Sequence, residues 1–360
     1  MLIFKLLLTN KILKVILLSA IIALLISFYL LNEITDLYFV PSLDSISHRL
    51  KMSDDAAGAT LMAAGSSAPE LFISIIAVIY GGDNIDIGVG TIVGSALFNL
   101  LVIIGAISFV RSSRVAWQPM LRDMLFYILS IGALYLAFSS GVVTIWYVIG
   151  FIALYVVYVI AVLNWKRIFP YERVKLEEEE EEEDPKWKKI MRPIDFVIGI
   201  LFRGPDKFTH NFLVSIGLIA LLSWVLVESA VVVSDAMGIP KYIVALTILA
   251  FGTSVPDMMS SVIVAKQGRG GMAISNALGS NIFDILLGLG IPWLILIIAT
   301  GNSISVHESN ITSHIFLLLA SVIGMFVVFL ITRWRVNRLV GVLFLGSYFA
   351  YLIYVIMQAV

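Results

Sequence analysis

The chain has 360 residues, of which 60% are hydrophobic and 14% are charged, and its formal net charge at pH 7 is −1. Together with a mean hydropathy of +0.99, this composition excludes a soluble globular protein and indicates a polytopic membrane protein in contact with lipid, with no sign of a nucleic-acid partner. The sequence contains no cysteine, which excludes a disulfide framework and a thiolate metal site.

Ten apolar runs follow one another along the chain, and each is long enough to cross a bilayer core of about 30 Å as a helix. Continuous runs of this length argue against a membrane β-barrel, whose strands alternate. The first run contains Pro41 and is expected to kink there. The sequence therefore predicts an all-α polytopic membrane protein, with spans near 12–46, 54–80, 85–110, 118–138, 142–165, 209–237, 241–267, 271–299, 309–332 and 338–358.

Lysine and arginine are distributed unevenly between the two sides of these predicted spans. Twenty of the 24 fall on the side that receives the loop at 166–208, which predicts that this loop is cytoplasmic and that both termini are outside. Five spans precede the loop and five follow it, so the two halves enter the membrane from opposite sides. We predict two inverted five-helix repeats, 1–165 and 209–360, joined by an acidic linker that is more simply a solvated segment than a regulatory one.

A polar motif occurs once in each half, inside spans that are otherwise apolar. Gly65-Ser-Ser-Ala-Pro-Glu70 aligns with Gly252-Thr-Ser-Val-Pro-Asp257, and Gly94-Ser-Ala-Leu-Phe-Asn99 aligns with Gly279-Ser-Asn-Ile-Phe-Asp284. Carboxylates within a membrane are costly and are functional by default. A proline in mid-span removes a helical hydrogen bond, so backbone carbonyls upstream of each proline are expected to face a cavity.

The chemistry that these motifs offer is all oxygen, from carboxylates, hydroxyls, amides and carbonyls. Hard cations such as Ca²⁺ and Na⁺ prefer such ligands, whereas transition metals prefer nitrogen or sulfur. We therefore predict one shared cation site, at which Ca²⁺, Na⁺ and protons compete. Its predicted ligands are Glu70, Asp257, Asp284, Asn99, Ser66, Ser67, Ser95, Thr253, Ser254, Ser280 and the carbonyls of Ala63 and Ala250.

Structural interpretations of the same residues remain open. A buried acid can brace a neighbouring helix, an intramembrane asparagine can serve helix association, and serine or threonine can bond to a carbonyl one turn back. Outside the motifs, we expect the acidic residues Glu33, Asp36, Asp54 and Asp55 to be solvated at span ends. We expect loop or interface positions for the four histidines, His48, His210, His307 and His314.

The two motif pairs resemble the alpha-repeats of the cation/Ca²⁺ exchanger superfamily, and the stretches around them are most similar to potassium-dependent sodium/calcium exchangers. The resemblance implies ten transmembrane helices and electrogenic export of Ca²⁺ driven by inward Na⁺, with the first and sixth helices sliding against the others. It also implies that Glu70 and Asp257 are the central acidic ligands. Asp284 permits K⁺ cotransport in this family without requiring it.

The predicted function is a cell-membrane antiporter that exchanges Na⁺ for Ca²⁺ by alternating access, with no enzymatic activity, no cofactor and no indicated protein partner. A Ca²⁺/H⁺ exchanger that uses the same carboxylates is the nearest alternative. A cation channel is disfavoured because paired acids at a closed midplane bind too tightly for fast conduction. An intramembrane aspartyl protease is disfavoured because the repeats and the surrounding oxygen ligands have no role in that chemistry.

Overall fold

Long helices dominate the part of the chain that the computed structural model describes, which is residues 11–50, 63–110, 113–169, 199–204, 207–266, 270–306 and 308–359. The α-helices in these residues are α1 Lys11–Ile34, α2 Val40–Arg49, α3 Ala63–Ser66, α4 Ala68–Tyr80, α5 Ile85–Phe98, α6 Ile104–Val110, α7 Trp117–Ser139, α8 Ile145–Ile168, α9 Phe208–Met237, α10 Lys241–Val244, α11 Ala250–Lys266, α12 Gly270–Phe283, α13 Gly290–Thr300, α14 Glu308–Ile331 and α15 Arg338–Ala359. The linker run of glutamates lies outside the described residues.

Several long helices are interrupted by a π-helical turn rather than by a loop. In the described residues these π segments are Thr35–Phe39, Asn99–Ile103, Ala245–Leu249 and Asp284–Gly288. The first ends two residues before Pro41, whose missing N–H leaves the carbonyl of Leu37 without its α-helical donor. The interruption of the first span is therefore where the sequence predicts a kink. Single π turns within α-helices occur frequently at functional sites.

Eight helices in the described residues are long and apolar enough to cross a membrane. The helices that carry the first half of each motif, Ala68–Tyr80 and Lys241–Val255, are apolar but shorter. Residues 54–62 of the predicted span at 54–80 lie outside the described part. Eight of the ten predicted spans are thus supported by length and composition, and the other two stay predictions.

The buried side chains form two hydrophobic clusters that separate α1 and α9 from most of the other helices. Leu24 and Leu31 of α1 pack with Leu226 and Val233 of α9, and α4 adds Ile73 to this cluster. The other cluster joins α5 to α8 with α12 to α15. The first and sixth predicted spans therefore share one packing unit.

Helix α5 touches the second half of the chain at two glycines. A Cβ atom at Gly94 would lie 2.4 Å from the carbonyl oxygen of Leu246, and one at Gly90 would lie 3.0 Å from the carbonyl oxygen of Tyr242. Only glycine permits such an approach between backbones. At Gly279, by contrast, the nearest atom would be a tyrosine hydroxyl at 3.4 Å, an ordinary contact. Close packing between the two halves therefore occurs at Gly90 and Gly94 and is not found at Gly279.

Two short antiparallel strand pairs accompany the helices, which make up most of the described residues. β1, Ser113–Arg114, pairs with β4, Arg335–Val336, and β2, Val142–Val143, pairs with β3, Ile304–Ser305. Each pair joins a connection in the first half to a connection in the second half. Strands of two residues are too short to produce a periodic pattern, so sequence reading could not detect them.

A buried ion pair lies in the first turns of α7. Arg122 is 5% exposed and Asp123 is fully buried, with 2.7 Å between Arg122 Nε and Asp123 Oδ1. The hydroxyl of Ser275 in α12 also donates to Asp123, and that of Tyr158 in α8 donates over 3.3 Å. Asp123 therefore connects three helices.

Replacing Arg122 by methionine is expected to destabilise the protein by about 3–5 kcal/mol, because it leaves the Asp123 carboxylate buried without its counter-charge. Thermal unfolding in detergent measures the effect, with the exposed Arg338→Met as the control. The double variant Arg122→Met/Asp123→Asn removes both charges and is expected to regain much of the loss. A double variant less stable than Arg122→Met would contradict this account.

Candidate functional site

The first copy of the motif folds as a broken helix. Helix α3 ends at Ser66, Ser67 leaves helical geometry (φ −94°, ψ 11°), and α4 restarts at Ala68 with Pro69 in its first turn. Proline suits this position because the first helical N–H groups have no partner within the helix. The break places Glu70 in the first turn of α4, where its side chain is 1% exposed.

The helix of the second copy is not broken at its proline. Helix α11 runs without interruption through Pro256, and the irregular turn is the π segment Ala245–Leu249 just before it. The hydroxyl of Thr253 donates to the carbonyls of Leu249 (3.1 Å) and Ala250 (3.4 Å). Threonine hydroxyls and neighbouring helices allow membrane helices to continue through a proline. The carbonyl of Ala250 is thus already an acceptor, while Ala63 begins α3 at the edge of the described residues.

Three carboxylates from the two halves come close enough to repel one another. Glu70 and Asp284 are each 1% exposed; Glu70 interacts electrostatically with Asp284, and Asp257 interacts with both. Three of their oxygens, both of Glu70 and Oδ1 of Asp284, have no hydrogen-bond partner with good geometry among the described residues. The hydroxyls of Thr253 and Ser67 lie beside Glu70 and Asp284 respectively. Buried negative charge of this kind is costly unless a cation or proton compensates it.

No three His, Cys, Asp or Glu side chains in the described ranges lie close enough to hold one metal ion by themselves. The predicted ligand set does not require such a cluster, since hydroxyl, amide and carbonyl oxygens outnumber its carboxylates.

The predicted hydroxyl ligands occupy two kinds of environment. Ser95 and Ser254, both fully buried, contact each other across the two halves with 2.8 Å between their Oγ atoms. The hydroxyls of Thr253 and Ser280 instead donate to backbone carbonyls about one turn earlier. The acceptor is Leu249 for Thr253 and Ala277 for Ser280, each at 3.1 Å. A hydroxyl that donates its proton keeps lone pairs for a cation. These contacts agree with a ligand role and with a structural role.

Asn99 and Asp284, which align in the two motif copies, each begin a π segment. The amide nitrogen of Asn99 donates to Asn281 Oδ1 over 2.9 Å. Asn281 in turn donates to the carbonyl of Ala96 (3.1 Å) and to the hydroxyl of Tyr127 (3.0 Å). With its nitrogen fixed in this way, Asn99 Oδ1 stays buried without a partner among the described residues. Asn281 therefore orients the oxygen of Asn99 as an acceptor.

Sequence reading missed Asn281 because its aligned position in the first copy is Ala96, and the comparison of repeats selects shared polar residues. The available signal was a second intramembrane asparagine in Gly279-Ser-Asn-Ile-Phe-Asp284. Such residues hydrogen-bond between helices in membranes.

We expect Asn281→Ala to weaken Ca²⁺ binding by about 10–100-fold, the usual effect of removing a group that orients a metal ligand. Titration of Ca²⁺-induced thermal stabilisation measures the affinity. Tyr127→Phe is the matched control, since it removes one hydrogen bond of Asn281 and leaves Asn99 oriented. Equal losses in the two variants would contradict the orienting role.

A cavity of about 210 Å³ leads to this group of residues. One wall is the first span, with Asn32, Thr35 and Asp36, and the opposite wall includes Ser66 and Asp257. Asp36 is exposed to solvent, as predicted, and it also lines this cavity.

Two of the other polar predictions are wrong. Glu33 is 5% exposed, and His314 is fully buried, with the rings of Tyr242, Tyr351 and Tyr354 within 6.2 Å of the imidazole. Hydropathy does not show how deeply a span is packed against its neighbours, and both Glu33 and His314 lie where their helices are buried. His48 is exposed and His210 is half-buried, in agreement with surface positions. Asp54, Asp55 and His307 lie outside the described residues.

The family model for the sodium/calcium exchanger protein matches residues 19–164 and 207–357, most of both halves of the chain. The chain belongs to this family. The resemblance stated from the motifs is thereby confirmed, and the family consists of transporters.

Similar exchangers span nearly the whole chain. Chicken sodium/potassium/calcium exchanger 2 is 27% identical, covering 92% of this chain and 76% of its own. Human sodium/potassium/calcium exchanger 4 is also 27% identical, with 94% and 80% covered.

Solved exchanger structures share the fold. A crystal structure of the H⁺/Ca²⁺ exchanger CAX superposes with a TM-score of 0.69 at 12% identity, covering 94% of this chain and 86% of CAX. The sodium-calcium exchanger NCX_Mj, soaked with 2.5 mM Na⁺ and 10 mM Sr²⁺, gives a TM-score of 0.57 at 22% identity, with 93% and 98% covered.

Proposed function

We propose that this member of the sodium/calcium exchanger family is an antiporter that moves Na⁺ inward and Ca²⁺ outward by alternating access. The observation that carries the proposal is the meeting of Glu70, Asp257 and Asp284, contributed by both halves, in a buried region rich in hydroxyl oxygens. Carboxylate and hydroxyl oxygens suit Ca²⁺ and Na⁺. Mutual repulsion between the acids makes cation binding favourable.

The architecture proposed for this antiporter is ten transmembrane helices in two inverted five-helix repeats, 1–165 and 209–360, with a linker at 166–208. The two stretches matched by the family model support this division. The π segments that begin at Asn99 and Asp284 support it as well. The two strand pairs also support it. β1 and β3 occupy equivalent connections of the two halves, as do β2 and β4, so the pair of β1 with β4 is equivalent to the pair of β3 with β2.

The ligand set proposed is the one that the motifs predict, with Glu70 and Asp257 as central acids. The contact between Ser95 and Ser254 supports a single site shared by the halves. The unpartnered oxygen of Asn99 and the hydroxyl of Ser67 beside Asp284 support a place for these residues in the same site. Asp284 is the proposed determinant of K⁺ cotransport.

The orientation proposed has both termini outside the cell membrane and the 166–208 loop in the cytoplasm. The excess of Lys and Arg on one side supports it. Exchange that moves net charge draws on membrane voltage as well as the Na⁺ gradient, with about 2.3 kcal/mol per charge for each 100 mV.

Uptake of ⁴⁵Ca²⁺ into proteoliposomes loaded with Na⁺, with K⁺ present or absent, tests this proposal. We expect uptake only when internal Na⁺ is present, and K⁺ cotransport would appear as a further requirement for K⁺ beside Ca²⁺. Uptake that does not depend on internal Na⁺ would refute the assignment.

A Ca²⁺/H⁺ exchanger is the second candidate, because the fold superposes on CAX with the TM-score of 0.69. The same vesicles separate the two functions. Uptake driven by an acid interior without Na⁺ would favour protons, and uptake driven by Na⁺ without a pH gradient would favour sodium.

A further inference from the structure

The cavity beside the predicted cation site has polar groups on both walls. Thr35 and Asp36 stand in the π segment of the first span, and Asn32 lies one turn earlier; Asp257 and Thr253 lie opposite in α11. One water needs roughly 10–15 Å³ of such volume, so a cavity of about 210 Å³ accommodates an ion together with several waters.

Two oxygen atoms on the first-span wall are buried and have no hydrogen-bond partner among the described residues. These are Oγ1 of Thr35, a residue that is 7% exposed, and Oδ1 of Asn32. Leaving a buried polar atom without a partner is unfavourable. Both residues line the cavity, and a cation that draws their side chains toward it would satisfy both oxygens.

The carboxylates on the two walls act on each other across the cavity. Asp36 is exposed and Asp257 is half-buried, and the negative charge of Asp36 interacts with that of Asp257. Glu70, deeper in the site, also acts on Asp257. The two negative charges of facing carboxylates balance the charge of one divalent cation. Ca²⁺ also tolerates irregular sets of oxygen ligands that include water.

The end of the cavity that Phe28 and Gly252 line is narrow. The ring of Phe28 packs directly on the backbone of Gly252, since a Cβ atom there would lie 2.2 Å from Phe28 Cζ. Phe28 and Asp36 both line the cavity and are separated by roughly 12 Å along a helix that rises 1.5 Å per residue. The exposed carboxylate of Asp36 thus lies at the wider, accessible end.

We propose that Asp36, Thr35 and Asn32 form, with Asp257, an entrance site that binds a partly hydrated Ca²⁺ ion on its way to or from the buried carboxylates. This inference rests on the proposed function insofar as Asp257 is a cation ligand. Asp36 holds the ion on the accessible side, and Asp257 is shared between the entrance and the buried site.

A thiol placed in the cavity reports occupancy of the entrance site without requiring transport. The chain contains no cysteine, so Asn276→Cys introduces a single reactive thiol on the cavity wall, where Asn276 is exposed. We expect Ca²⁺ to slow its modification by an uncharged methanethiosulfonate reagent. Adding Asp36→Asn should raise the half-protecting Ca²⁺ concentration about tenfold or more, because ligand charge sets the affinity of an oxygen site for Ca²⁺.

Two control variants accompany this measurement in the Asn276→Cys background. Asp36→Glu keeps the charge and should keep the protection. Asp235→Asn removes an exposed carboxylate near the end of α9 and should leave protection unchanged. Protection that is the same with and without Asp36→Asn would overturn the entrance site, and protection by Na⁺ or K⁺ in place of Ca²⁺ would overturn its assignment to a divalent cation.

Adding Glu70→Gln separates the entrance site from the proposed function. Protection that persists in this variant while ⁴⁵Ca²⁺ uptake is lost supports an entrance site distinct from the buried one. Protection that disappears with Glu70→Gln but survives Asp36→Asn would assign it to the buried site and overturn the inference. Sodium-independent uptake together with protection that depends on Asp36 would refute the exchanger function and leave the entrance site standing.

Discussion

Glu70→Gln is expected to abolish Na⁺-driven ⁴⁵Ca²⁺ uptake while leaving the protein folded. The carboxylate is 1% exposed, and neither of its oxygens has a hydrogen-bond partner among the described residues. Glutamine keeps the shape and removes a charge that is repelled by Asp284, so the ion-free protein should be no less stable. Losing this charge should weaken Ca²⁺ binding by on the order of 100-fold, or about 2.7 kcal/mol.

Thermal unfolding with and without Ca²⁺ measures this loss independently of transport. A ligand present at 100 times its Kd stabilises the native state by about 2.7 kcal/mol, and at the same Ca²⁺ concentration a 100-fold weaker Glu70→Gln would keep only about 0.4 kcal/mol of this, so most of the Ca²⁺-dependent rise in Tm should be lost. The exposed Asp235→Asn serves as the matched acid-to-amide control and should retain both uptake and the rise. Retention of uptake by Glu70→Gln would remove Glu70 from the ligand set.

Local sequence was sufficient for the membrane class, most spans and the family. Alignment of the motif copies also made Asn99 and Asp284 equivalent, and both begin a π segment. These features depend on hydropathy and on short motifs, which are local properties of the chain. The ten-helix inverted repeat and the ligand set remain predictions.

The parts that sequence reading missed depend on tertiary packing. Proline alone does not decide whether a membrane helix breaks, so α4 restarts after Ser67 whereas α11 continues through Pro256. The solvent exposure of Asp36 was predicted from its place near the end of an apolar run, but its position in the wall of a cavity that Asp257 also lines was not. Asp123 gave no signal, because its partners Ser275 and Tyr158 come from distant helices.

Gly94→Ala is expected to cause a large loss of stability. Its Cβ atom would lie 2.4 Å from the carbonyl oxygen of Leu246 and 2.7 Å from the Cβ of Ala250. A backbone carbonyl cannot rotate away as a side chain can, so α5 must separate from the second half. Overpacking of a core costs about 1–3 kcal/mol, and this contact should lie at or above the upper end. Thermal unfolding measures the change.

Function should fall together with stability, because the next residue is Ser95, whose Oγ lies 2.8 Å from that of Ser254 in the other half. Separation of the helices would widen this contact and lower Na⁺-driven ⁴⁵Ca²⁺ uptake per folded molecule. Gly132→Ala is the control, since a Cβ atom there meets nothing within 4 Å, and alanine in a helix is favoured over glycine by up to about 1 kcal/mol. If Gly94→Ala unfolds at the same temperature as Gly132→Ala, the halves are not held together at this glycine, and the shared site must depend on other contacts.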